Sequence, residues 1–197
     1  MRFQLRLVFQ LLIVSIFVAA CQSADPTVAP TPVQWQRVTF VASRLQPGFA
    51  LNIPADWNYE VEDTGIIVFN YPRLLELQDD GAKMPEGSIV ANLTILTAID
   101  VQMIGARNAA GILDAFIGTA SSEAAGPGYS NTEMIEIRGR DSAQSWVSIE
   151  NSDSLLLALE LKGNYVLAVI VAPTGELRRQ SELLSLVFDS IELRLGS

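Results

Sequence analysis

Apolar residues alternate with polar ones along much of this chain, and the alternation predicts more strand than helix. Val38, Phe40 and Ala42 mark a first strand, and Phe49, Leu51 and Ile53 a second that stops at Pro54. Trp57, Tyr59 and Val61 mark a third, turned by Asp63-Thr64-Gly65 into a fourth over 66–69. Residues 88–97 form the longest alternation, with Ile89, Ala91, Leu93 and Ile95 on one face and Asn92 and Thr94 on the other. Further strands are expected over 134–137, 145–149, 155–161 and 165–171. Between the last two, Lys162-Gly163-Asn164 has the chemistry of a tight hairpin turn. Both arms are almost continuously apolar, which places this hairpin centrally, covered on both faces.

Two segments change to a helical period. In 109–121, Ile112, Phe116 and Ala120 recur at helical spacing, although Gly111 and Gly118 weaken the helix. In 175–191, Leu177, Leu184, Val187 and Ile191 share one face, with Thr174 as the expected N-cap after Pro173. The order strand, strand, helix at the end of the chain implies that this helix packs back on the sheet. The resulting class is α+β, a central antiparallel sheet flanked by helices.

The order of elements and two short motifs resemble PsbP-like domains. Gly48-Phe49-Ala50-Leu51-Asn52-Ile53-Pro54-Ala55-Asp56-Trp57 is similar to their opening, and the hairpin followed by Phe188-Asp189-Ser190-Ile191 to their closing section. The resemblance runs from about residue 40 to 195 and implies an α/β/α sandwich of the PsbP/Mog type. It further implies kinship with extrinsic photosystem II subunits, with exported bacterial lipoproteins, and with a related fold that binds a small GTPase. No common catalytic mechanism comes with that fold, and fold alone does not fix function. The metal ligands of plant relatives include histidines, and this chain has none, so no site residue is carried over.

The beginning of the chain follows a different pattern. Arg2 and Arg6 precede a 14-residue apolar stretch, 7–20, broken only by Gln10 and Ser15. A spanning helix needs roughly 20 such residues, so the stretch has the length of an export signal. Val18-Ala19-Ala20-Cys21 resembles the bacterial lipobox, in which the cysteine is acylated and becomes the first mature residue. Cys21 is the only cysteine, and acylation accounts for a thiol that has no disulfide partner within the chain. The expectation is therefore a signal peptide over 1–20, a lipidated Cys21 with a proline-spaced linker over 21–35, and one globular domain over 36–197. Pro26, Pro30 and Pro32 favour an extended linker that stands the domain off the lipid. Such a protein is exported and anchored through Cys21 to the outer face of the cytoplasmic membrane, or to an outer membrane where the cell has one.

Charge and missing residue types narrow the chemistry. The chain carries 13 basic and 22 acidic residues, and removing Arg2 and Arg6 with the signal leaves a net charge of about −11. That balance argues against nucleic acid and against a second, electrostatic contact with anionic lipid. Without histidine, the commonest metal ligand and general base are both missing, and no Ser–His pair can be built. Lys83 and Lys162 fall in polar loops, where nothing would lower an amine for a Ser–Lys pair. Glu60 and Glu62 would share one face of a strand, which makes them candidates for carboxylate hydrolysis, with Asp63 beside them; a solvated edge is the competing reading. The acidic loop after Leu77, with Asp79 and Asp80, could offer oxygens to a divalent ion but lacks the Asp-x-Asp-x-Asp-Gly spacing of a calcium loop. Trp57 with Pro54 is expected to shape a turn and cap the core, with ligand stacking as the alternative.

No catalytic residue, metal site or cofactor is assigned. The expected function is a membrane-anchored binding or accessory protein with a possible protein partner in the envelope. The candidate ligand-contacting residues are Trp57, Glu60 and Glu62. The alternatives are an exported carboxylate hydrolase and a purely structural subunit of an envelope or photosynthetic complex.

Overall fold

The computed structural model describes residues 32–41, 47–79, 83–123, 130–149 and 151–194. Cys21, the expected signal and the linker up to residue 31 lie outside the described residues.

Seven strands form one antiparallel sheet: β3 (Asn58–Val61), β4 (Gly65–Phe69), β5 (Val90–Leu96), β6 (Glu133–Ile137), β7 (Arg140–Ile149), β8 (Ser152–Leu161) and β9 (Asn164–Pro173). Their spatial order is β3-β4-β5-β9-β8-β7-β6. The β8–β9 hairpin is central, as its apolar arms require. Leu161 pairs with Asn164 across Lys162 and Gly163, both with positive φ (53° and 83°), so two residues close the turn. Arg138 and Gly139 close β6–β7 in the same way, at φ 53° and 71°.

β1 (Trp35–Phe40) and β2 (Gly48–Pro54) do not join this sheet. With β10 (Glu192–Arg194) they form a separate three-stranded sheet in the order β1-β2-β10. Every β2 residue except Asn52 is buried, whereas β1 buries only alternate residues, Val38 and Phe40, as an edge strand does. Phe40 and Phe49 pair across the ladder with ring centroids 5.6 Å apart.

Among the described residues there are also five helices: α1 (Leu74–Asp79), α2 (Ala98–Met103), α3 (Ala109–Glu123), α4 (Glu176–Arg179) and α5 (Ser181–Asp189). Strand alternation divides the large sheet into two faces. On the first, Ile66, Val68, Ala91, Leu93, Ile95, Leu157, Leu159, Ala168 and Ile170 pack with the small sheet and with Leu177, Leu184, Val187 and Phe188 of α4 and α5. On the second, Leu156, Ala158 and Leu167 pack under α2 and α3, and Phe69 and Val90 pack with Leu74 of α1. The sandwich expected from the sequence is present, with a small sheet added to one of its outer layers.

Local differences have local causes. α3 buries Ala109, Ile112 and Leu113 and leaves Phe116 37% exposed, so of the expected stripe Ile112 faces inward and Phe116 does not. The expected helix over 175–191 is two helices broken at Gln180 (φ −101°), and its N-cap is Gly175 in the left-handed region (φ 86°) rather than Thr174. Asp141 of β7 explains where α3 starts. Its Oδ2 accepts the Ala109 amide at 3.0 Å and the Tyr165 hydroxyl at 3.1 Å. Burial, then this hydrogen bond to Asp141, pushes the Tyr165 hydroxyl up to about 12.

Candidate functional site

A cleft of about 430 Å³ opens between the entry to β1, the turn from β2 to β3, and the α4–α5 junction. Its size falls in the range of roughly 300–1,000 Å³ typical of small-molecule and side-chain pockets. Pro54, Ala55, Asp56 and Trp57 form one wall, Val33 and Gln34 a second, and Asn70, Gln180 and Leu183 the floor and far side.

The β2–β3 turn is held rigidly. Gln36 Nε2 donates to the Trp57 carbonyl at 2.6 Å and to the Pro54 carbonyl at 3.2 Å, while the Ala55 amide donates to the Gln34 carbonyl at 2.8 Å. Trp57 is 6% exposed: most of its indole belongs to the core between the two sheets, and the rest faces the cleft. Both readings of Trp57, core cap and cleft wall, therefore apply to one side chain.

The opposite wall is held just as firmly. Asn70 Nδ2 donates to the Gly87 carbonyl at 2.8 Å, and its Oδ1 accepts the Ile89 amide at 2.7 Å. Gln180 Nε2 reaches the Gly87 carbonyl and Glu176 Oε2, each at 3.4 Å. The break between α4 and α5 is what turns Gln180 toward the cleft. Glu176 is 5% exposed and accepts from Arg179 Nη1 at 2.5 Å, so its charge is paired. Asp56 is exposed at the rim, and among the described residues no ion pair engages it. The lining thus mixes apolar side chains with the amides of Gln34, Asn70 and Gln180, of which Asn70 is committed to short internal hydrogen bonds, and one carboxylate, Asp56, stands at the mouth. That arrangement can hold a ligand in place.

The two other candidate residues lie elsewhere. Glu60 sits on β3 and Glu62 in the β3–β4 turn, both exposed, and neither lines the cleft. Asp79 is the last residue of α1, and residues 80–82 of the acidic loop lie outside the described residues. Among the described residues, no group of three or more His, Cys, Asp or Glu side chains is placed to hold a metal ion. Among them, too, no helix is long and apolar enough to cross a membrane. Sequence reasoning missed Asn70, Gln180 and Gln36. Each is a lone amide in the chain, and only the fold brings them to Trp57.

No protein-family model and no curated protein sequence matches the chain. Solved structures do. The cyanobacterial PsbP, CyanoP, of Synechocystis sp. PCC 6803 matches at 12% identity over 87% of this chain and 98% of its own, with a TM-score of 0.51. The yeast Ran-binding protein Mog1p of Saccharomyces cerevisiae matches at 11% identity over 82% of this chain and 96% of its own, with a TM-score of 0.48. A protein of Bacteroides thetaiotaomicron matches at 14% identity and a TM-score of 0.47 over 80% of this chain, which spans only 48% of that protein's length. At such identities the likeness is one of fold. The chain has a PsbP-like α+β fold, as its opening and closing motifs imply.

Proposed function

We propose that this chain is an exported, lipid-anchored accessory protein that binds a partner or ligand at the Trp57 cleft and performs no chemistry of its own. The observation that carries the reading is the cleft itself. It is lined by apolar side chains (Val33, Pro54, Ala55, Trp57, Leu183) and by polar ones (Gln34, Asp56, Asn70, Gln180), and internal hydrogen bonds hold the β2–β3 turn and Asn70 in place. A cavity of mixed apolar and amide lining with a single charge at its mouth suits recognition. The lipobox-like Val18-Ala19-Ala20-Cys21 supports export and anchoring.

Ala55 offers a clean test, because it is exposed and lines the cleft mouth. Ala55→Arg fills the mouth without removing core contacts. Affinity capture from detergent-solubilised membranes with the wild-type chain should recover a stoichiometric partner or ligand that Ala55→Arg loses. Equal recovery by both, or recovery by neither, would overturn the binding reading. The anchor has its own test. Cys21→Ser should move the folded domain from the membrane pellet to the soluble exported fraction, and a variant that still sediments with membranes would disprove acylation there.

A further inference from the structure

β3 is the terminal strand of the large sheet, and among the described residues its outer edge pairs with nothing. The Glu62 amide donates to the Gly65 carbonyl at 3.0 Å. By the two-residue alternation of an antiparallel ladder, Glu62, Glu60 and Asn58 direct their backbone groups to β4, so the N–H and C=O of Tyr59 and Val61 point outward. The side chains of Tyr59 and Val61 are 45% and 55% exposed and share a face, with Glu60 on the other. An open edge of this kind accepts one more strand.

Two observations say what that strand is made of. Residues 54–72 contain four acids, Asp56, Glu60, Glu62 and Asp63, and no base. All four are exposed, and none is in an ion pair among the described residues. An acidic edge disfavours another acidic strand and favours a basic one. The edge also starts one residue after Trp57, so the cleft wall and the open strand adjoin along the chain. The Trp57 carbonyl is occupied by Gln36, which ends the available ladder at Tyr59.

We propose that the β3 edge and the Trp57 cleft form one docking surface for an extended, basic segment of a partner protein, a proposal that rests on the accessory reading above. The segment's backbone pairs with Tyr59 and Val61. Residues opposite Tyr59 and Val61 are apolar, and those opposite Glu60 and Glu62 are lysine or arginine, because directly paired residues project to the same face. Beyond Tyr59, the end of the segment reaches the cleft mouth beside Asp56.

The test uses the full chain in detergent and a fluorescent octapeptide of alternating valine and lysine. Two controls accompany it: a valine–glutamate octapeptide, and the valine–lysine peptide N-methylated at alternate amides so that it cannot pair as a strand. Saturable binding of the first is expected, weakened at least about tenfold, or about 1.4 kcal/mol, in both controls and in the Glu60→Lys/Glu62→Lys variant. Hydrogen exchange should slow at the Tyr59 and Val61 amides and not along β6, the opposite edge. Equal binding of the N-methylated peptide, protection at β6 in place of β3, or no saturable binding would each overturn the proposal. If the peptides fail while an Ala55→Arg-sensitive partner is still captured, the docking surface is wrong and the accessory reading stands. If both fail, both fall.

Discussion

Asp153 is 6% exposed, and burial pushes its carboxyl up. The Ser148 hydroxyl at 2.6 Å, the Gly175 amide at 2.7 Å and the charge of Arg178 outweigh that burial and hold the carboxyl below its usual range. The bond to Gly175 also fixes the left-handed residue from which α4 starts, and so sets the direction in which Gln180 meets the cleft. A depressed folded value means that the contribution is present above the unfolded value, near 3.8, and is lost as pH falls through the folded one. Asp153→Asn should cost about 2 kcal/mol at neutral pH by urea unfolding. Its gap to the wild type should close as the pH drops below the free-carboxyl value; a gap that stays constant into acid would show that the charge contributes nothing. At this scale the sequence was partly readable. Pro54 and Trp57 announce a rigid turn, and the solvated-edge reading of Glu60 and Glu62 agrees with their exposure; what the chain does not show is that Glu60 lies on the terminal strand and Glu62 in the turn after it.

Arg140 ties two elements together in the same way. Its guanidinium donates to the carbonyls of Ile137 (3.0 Å), Ile191 (2.8 Å) and Phe188 (3.3 Å), joining the β6–β7 turn to the end of α5. Helix ends leave carbonyls without intrahelical partners, and a cation there also suits the helix dipole. Arg140→Met keeps much of the stem and removes the donors. It should destabilise the domain by about 2 kcal/mol in thermal or urea unfolding, whereas Arg138→Met, whose Asp189 contact is 3.9 Å and mostly exposed, should cost well under 1 kcal/mol. Equal effects would remove the capping account. Long strands and the Lys162-Gly163 turn were legible because period-two alternation and turn chemistry are local signals. α1 and α2 were not, since six residues are less than two helical turns. Only the capping box of Thr97 with Asp100 marks α2 in the chain. The split at Gln180 left one mark in the chain: Leu177, Leu184, Val187 and Ile191 are buried on both sides of it, but the turn between Leu177 and Leu184 carries the polar Gln180 and Ser181 on that face.

At the scale of the molecule, the small sheet and the α4–α5 pair share one face of the large sheet, and the cleft opens where they adjoin. One wall comes from the small sheet and its exit turn; the other comes from the end of β4 and the helix break more than a hundred residues later. Long-range assembly of this kind cannot be read from local periodicity, although the fold class that permits it could be. The proposed anchor at Cys21, the cleft and the acidic edge make up one account, of a protein held at a membrane surface that binds a partner there. Hydrogen–deuterium exchange of the full chain in its native membranes, against the same chain purified in detergent, tests that claim most directly. The account predicts slower exchange in the native membranes at amides 55–61 and 180–183, with the β8–β9 core unchanged. Identical exchange at both segments would contradict it.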